Sequence, residues 1–182
     1  MINHIPKVLY RNKITEVLDD IRYNYGKLTR RGYIYGVIAI DQDAKIIAID
    51  SRFDRKLNYW DLSSIGAALY GVARQGQDFF ESSSLERATI IYNDMRLFVK
   101  SIGNINIIQK GKRDILVVLL TDKEVNLGVI FLQLSKFAME MKKRIEDDQV
   151  SQNILKMSEQ EIKEHIKELK NQIFSDRLGT IS

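Results

Sequence analysis

Asp61-Leu-Ser-Ser-Ile-Gly-Ala-Ala-Leu-Tyr-Gly-Val-Ala-Arg-Gln-Gly-Gln-Asp-Phe-Phe80 is the stretch around which the chain is organised. No residue between Asp61 and Arg74 is charged. At 100° per residue, Leu62, Ile65, Leu69, Val72 and Phe80 fall on one stripe, with Gly66 and Ala73 beside it. That stripe is expected to face the core. The opposite side, where polar side chains would be expected, carries Ser64, Ala67, Ala68 and Gly71. A helix that is large and apolar on one face and small and neutral on the other can be buried on both. Small residues let a second backbone approach closely, and that backbone is most often another helix, from the same chain or from a second subunit. Asp61 stands as an N-cap and Trp60 as a hydrophobic staple.

Working outward, 182 residues fit one domain of ordinary size and an appendage. A hydrophobic fraction of 45% supports a real core, and 29% charged residues give an ordinary polar surface. There is no cysteine, which excludes a disulfide framework, thiolate zinc ligation and a cysteine nucleophile. His4 and His165 lie near opposite ends, so a histidine metal site or a triad is not expected. The net charge of +4 permits attraction to an acidic partner but does not indicate nucleic acid. No apolar run reaches membrane-spanning length, and the N-terminus lacks the apolar segment of a signal peptide, so no membrane insertion and a cytoplasmic location are expected.

Before the central stretch, Tyr10, Ile14, Val17, Leu18, Ile21, Tyr25 and Leu28 recur at helical spacing, which predicts a helix over roughly 11–30 after a short lead-in. Gly32 is a plausible stop. Residues 33–40 and 45–49 read as two strands joined by a turn at Asp41-Gln-Asp43. Residues 50–60 form a basic and aromatic loop. After the central helix, Arg87–Tyr92 and Met95–Lys100 are strands, and 105–109 could extend the second past a kink at Gly103. Asp114–Leu120 is continuously apolar and is expected to be a central strand covered on both faces. Leu127, Ile130, Phe131, Leu134, Phe137, Ala138, Met141 and Ile145 then mark a third helix. Asp147-Asp148 closes the compact part, so the expected division is residues 1–148 and a C-terminal helical extension over 149–182. In the extension, Ser158 and Glu161 make a capping box, and Ile162, Ile166, Leu169 and Ile173 form a narrow seam.

Helix, two-strand hairpin, helix, three strands, helix is an α+β order. Three segments make it similar to the roadblock (roadblock/dynein light chain) family. Gly32-Tyr-Ile-Tyr-Gly-Val-Ile-Ala-Ile-Asp41 resembles the family's first strand, and Gly66-Ala-Ala-Leu-Tyr-Gly-Val-Ala73 the start of its central helix. Asp114-Ile-Leu-Val-Val-Leu-Leu-Thr-Asp-Lys-Glu-Val-Asn-Leu-Gly128 resembles its apolar strand with an Asn-Leu-Gly entry to the last helix, and is the most specific of the three. The resemblance covers about 12–146. It implies a roadblock/longin-like five-stranded antiparallel sheet sandwiched by helices in the order α-β-β-α-β-β-β-α, with the C-terminal helix as an addition. Ala44 stands where the family usually has a glycine, and the loop 50–60 and the stretch 103–113 look longer than its norm. The resemblance further implies a homodimer, or a heterodimer with another roadblock protein. Third strands would pair edge to edge and central helices side by side, placing Ile90 and Tyr92 at the interface with Ser64, Ala67, Ala68 and Gly71. It implies binding of a small Ras-like GTPase without catalysis.

Chemistry read from the residues agrees with that last expectation. A phosphate loop is absent, since Gly103 to Gly111 before Lys112 has the wrong spacing and Arg113 stands where Ser or Thr would bind magnesium. Asp41 and Asp43 read as a hairpin turn rather than a metal site. Ser82–Ser84 has no paired base, and His165 reads as an exposed or interface residue. No cofactor is expected. The loop residues Arg52, Phe53, Arg55, Lys56, Tyr59 and Trp60 are the candidate contact set, since arginines beside aromatics can grip a protein or stack on bases. As a solvated loop, the same stretch would merely tuck Trp60 into the core. Two functional classes remain: a dimeric GTPase-binding regulator or scaffold, and a small-ligand sensor of the PAS or GAF type, which needs an internal pocket. The Leu, Ile and Phe filling the apolar stripes favour a packed core and the first class.

Overall fold

The apolar run 114–120 lies at the middle of the molecule, and both cores form against it. A computed structural model describes residues 5–80, 84–107, 110–158, 160–161 and 164. The elements are α1 (Lys7–Tyr10), α2 (Lys13–Leu28), β1 (Ile34–Asp41), β2 (Ile46–Ile49), α3 (Tyr59–Phe79), β3 (Ala88–Ile91), β4 (Met95–Ile107), β5 (Gly111–Asp122), α4 (Leu127–Asp147) and α5 (Gln149–Lys156). The strands form one antiparallel sheet in the order β2-β1-β5-β4-β3. This is the expected α+β series, with α1 and α5 added to it.

Alternation along β5 sends its side chains to two cores. Ile115, Val117 and Leu119 join α2 and α4 on one face, and Leu116, Val118 and Leu120 join α3 and α1 on the other. All but Leu120 are 0% exposed. With each such side chain worth about 1.5–3 kcal/mol on burial, a one-residue slip would exchange the two faces and misfit both. β4 is one long strand, not two pieces. Its register against β5 shifts between Ser101 and Gly103, where Gly103 has φ +107°. The kink expected there is a β-bulge.

The β1–β2 turn needs one residue in the left-handed region, and Ala44 occupies it at φ +65°. A buried carboxylate holds it there: Asp41 Oδ1 accepts hydrogen bonds from the backbone N–H groups of Asp43 and Lys45, both at 2.9 Å. Two defined local bonds offset the strain of about 1–2 kcal/mol that a Cβ imposes there. The carboxyl group of Asp41 is raised above its ordinary range by burial, against the opposing influence of Lys45.

Residues 149–156, at the start of the expected C-terminal extension, form α5. Asp148 caps it, accepting from Ser151 N at 2.8 Å and Ser151 Oγ at 2.7 Å. α5 packs against β2 and α4, with Leu155 in the α2–α4 core and Ile154 in the α3-side core. Lys45 Nζ donates to the Leu155 carbonyl at 3.3 Å. We propose that the compact part therefore extends to Met157, past the expected limit at Asp148. Ending the chain after Asp148 is expected to cost at least ~2 kcal/mol relative to ending it after Met157, through loss of the fully buried Leu155. Urea midpoints of the two truncations measure this; equal midpoints would return the limit to Asp148. Ser158 and Glu161 bond reciprocally as a capping box. The seam beyond it, Ser82, Ser83, His4 and His165 lie outside the described residues.

Candidate functional site

The outer face of α3 is a solvent-facing surface beside a sheet edge, uncharged from Leu62 to Ala73. α3 begins one turn earlier than expected. Asn58, not Asp61, is its cap, accepting from Trp60 N at 3.0 Å and Asp61 N at 3.4 Å. Trp60 is therefore inside the helix rather than a staple before it. Tyr59, Leu62, Ser63, Gly66, Ala67 and Tyr70 face the sheet. Ile65 is 42% exposed, Val72 70% and Phe80 80%, so the expected core stripe is rotated out of the core except at Leu62, with Leu69 half-buried. Close approach to the sheet is the cause. A Cβ on Gly66 would lie 2.6 Å from Val118 Cγ2, so the sheet meets the middle of the helix at Ser63, Gly66 and Ala67, and Ile65 and Val72 turn outward.

In the single chain Ser64, Ala68 and Gly71 are exposed, and Ile65 and Val72 join them. Ala67 is placed differently, buried under its own helix at 9% exposure. Gly71 has nothing within 4 Å of an added Cβ. α3 packs against β3, which has β4 on one side and, among the described residues, no strand on the other. Ile90 pairs with Leu97 and packs partly under α3, whereas Ile91 is 74% and Tyr92 44% exposed. The opposite edge, β2, is covered by α1 and α5.

Of the loop residues, Phe53 is buried against Gly36 and Tyr59 is buried beside Trp60, ring centroids 5.3 Å apart. Burial raises the Tyr59 phenol above its ordinary pKa. Tyr59 is thus a packing residue, which removes it from the accessible contact set. Arg52 and Lys56 are exposed, and Arg55 and Trp60 half-buried. The Arg55 guanidinium lies 5.0 Å from the Tyr10 ring centroid and that of Arg11 5.7 Å, so two cations share one aromatic face system. Tyr10 and Arg11 were not legible as site residues, because they lie about 45 positions before the loop and carry no pattern linking them to it.

The loop is anchored by Asp50, whose side chain is fully buried. Its carboxylate pairs with Arg22 at 2.9 Å and accepts from Val37 N at 2.7 Å and Arg52 N at 3.1 Å. Arg22 also donates to the Ile34 carbonyl at 2.7 Å. Burial pushes the Asp50 carboxyl up to about 6, and Arg22 opposes that rise.

No protein-family model and no curated protein matches the chain in sequence. In structure, it is similar to the gliding protein MglB of Thermus thermophilus, with a TM-score of 0.59 at 15% identity over 80% of this chain and 100% of that one. It is similar to MglB of Myxococcus xanthus at a TM-score of 0.58, 15% identity, 76% of this chain and 98% of that one. A roadblock/LC7 domain from Streptomyces avermitilis aligns at a TM-score of 0.55 and 11% identity, over 71% of this chain and 94% of that domain.

The fold is that of a roadblock domain.

Of the three features expected to depart from the roadblock pattern, two have local explanations here, and the third, 103–113, is mostly the end of β4 and the start of β5. Ala44 is sustained by the Asp41 carboxylate, and the long loop after β2 is tied down by Asp50 and by Phe53. The Asn-Leu-Gly entry to the last roadblock helix is a cap, Asn126 Oδ1 accepting from Val129 N at 3.2 Å. Among the described residues, the sheet thus offers one open edge, β3, next to one uncharged helix face.

Proposed function

We propose that the chain is a non-catalytic dimeric regulator or scaffold that binds a small Ras-like GTPase. The observation that carries this is the solvent-facing apolar strip of α3, Ile65 to Val72, beside the open edge of β3. Exposed apolar surface at a free edge is unfavourable in a lone subunit and suits pairing with a second one. The partner class rests on the resemblance to the roadblock family. Side-by-side central helices would form a two-fold platform, with Arg52, Arg55, Lys56 and Trp60 of both subunits at its ends. A partner GTPase can be regulated by orienting its own residues, so no catalytic group is required of this chain.

The test is to load GTPases from the same genome with GDP or a GTP analogue and titrate each with the protein. Preference for one nucleotide state indicates regulation, and equal binding indicates a scaffold, since a ligand without differential affinity shifts no equilibrium. Trp60→Ala and Arg55→Ala are each expected to weaken binding by about 1–3 kcal/mol. If no GTPase binds while a small molecule raises the melting temperature, the sensor function replaces this one.

A further inference from the structure

At the end of the sheet where β1 begins and β5 ends, three connections are locked together. Tyr33 N donates to Asp122 Oδ2 at 2.9 Å, Lys123 N to the Asp94 carbonyl at 3.0 Å, and Asn126 N to Tyr25 Oη at 2.8 Å. Gly32, at φ +76°, lies so close to Val125 that a Cβ there would fall 2.3 Å from its backbone nitrogen. Between these connections is a cavity of about 520 Å³, whose charged lining residues are Arg31, Arg96, Lys123 and Glu124.

The cavity lining is net positive, with three cations against the single carboxylate of Glu124. None of the three cations belongs to an ion pair among the described residues. Asp122, the neighbouring carboxylate, is occupied by backbone groups: Oδ1 accepts from Glu124 N at 3.0 Å and Oδ2 from Tyr33 N. Arg96 stands on β4 opposite Ile91 and Thr121, and its Nε is buried with no hydrogen-bond partner.

We propose that this cavity binds a small phosphate-bearing anion through Arg31, Arg96 and Lys123. Two planar guanidinium forks and one compact ammonium suit a group with several negative oxygens. No aromatic side chain lines the cavity, so recognition is confined to the phosphate end and does not extend to a base. The site is separate from the face of α3 and does not depend on what that face binds.

Calorimetric titration of the full chain with sodium pyrophosphate, at constant ionic strength, tests this. One saturable site per chain is expected. Arg96→Gln is expected to weaken it at least about tenfold, and Lys123→Gln about three- to tenfold, because each removes one cation from the phosphate. Lys136→Gln, an exposed position on α4 outside the cavity lining, is expected to change nothing. Should Arg96→Gln fail to fold, Lys123→Gln on its exposed turn carries the test. Unsaturable heats, or equal losses in Lys123→Gln and Lys136→Gln, would overturn the site. Tighter binding of a phosphoserine peptide than of pyrophosphate would overturn the assignment to a small ligand.

Discussion

Replacing Asp50 by alanine is expected to lower the unfolding free energy by about 3–5 kcal/mol, the usual cost of breaking a buried ion pair on one side. The variant would leave Arg22, whose side chain is 11% exposed, without its carboxylate, and Val37 N and Arg52 N without their acceptor. Against a total stability of about 5–15 kcal/mol, that is a large fraction of the fold. Urea denaturation followed by circular dichroism measures it. A loss below about 1 kcal/mol would mean that the pair is not what fixes the loop to α2.

The same carboxyl group gives a pH dependence of defined sign. Its folded-state pKa of about 6 lies above the ordinary 3.8, so between those values the folded state holds the proton more firmly than the unfolded chain. Stability from this group is full below about pH 4 and falls as pH rises through 6. The whole rise is worth roughly 3 kcal/mol. The advantage of the native protein over Asp50→Asn should therefore shrink by about that amount between pH 4 and pH 7. A difference independent of pH would show that Asp50 titrates normally.

Gly71→Arg is expected to separate association from folding. Position 71 is exposed, and a Cβ there meets nothing within 4 Å, so the subunit loses no packing. Replacing a helical glycine even favours the helix, by up to ~1 kcal/mol. In a pair of closely packed central helices, however, a buried unpaired guanidinium would cost on the order of 3 kcal/mol or more, raising the dissociation constant by at least about a hundredfold. Light scattering should find a dimer for the native protein and a monomer, with an unchanged or raised melting temperature, for the variant. A native monomer at tens of micromolar would remove the dimer from the proposal.

Element type and order were legible in the sequence wherever periodicity met a local stop signal. The eight main elements follow from alternation in Met95–Val99, the unbroken run in Asp114–Leu120 and helical spacing from Ile130 to Ile145. Those signals are local, set by backbone period and side-chain polarity. α5 was not legible because its eight residues bury only Ser151, Ile154 and Leu155, too few to show a period.

The orientation of α3 was decided by tertiary structure. Its sequence determined a helix with no charge on two faces, which is enough to expect two burials. Which face meets the sheet depends on how closely helix and sheet approach, and Gly66 over Val118 fixes that distance by a contact 52 residues away in sequence. Summing hydrophobicity around a helix assigns the large side chains to the core, whereas a close helix–sheet contact needs small ones, so Ala67 turned inward while Ile65 and Val72 turned out. The two arginines on Tyr10 and the three cations around the cavity at the end of β5 likewise come from separate segments. Charge at a distance in sequence carries no period, so only the folded chain brings it together.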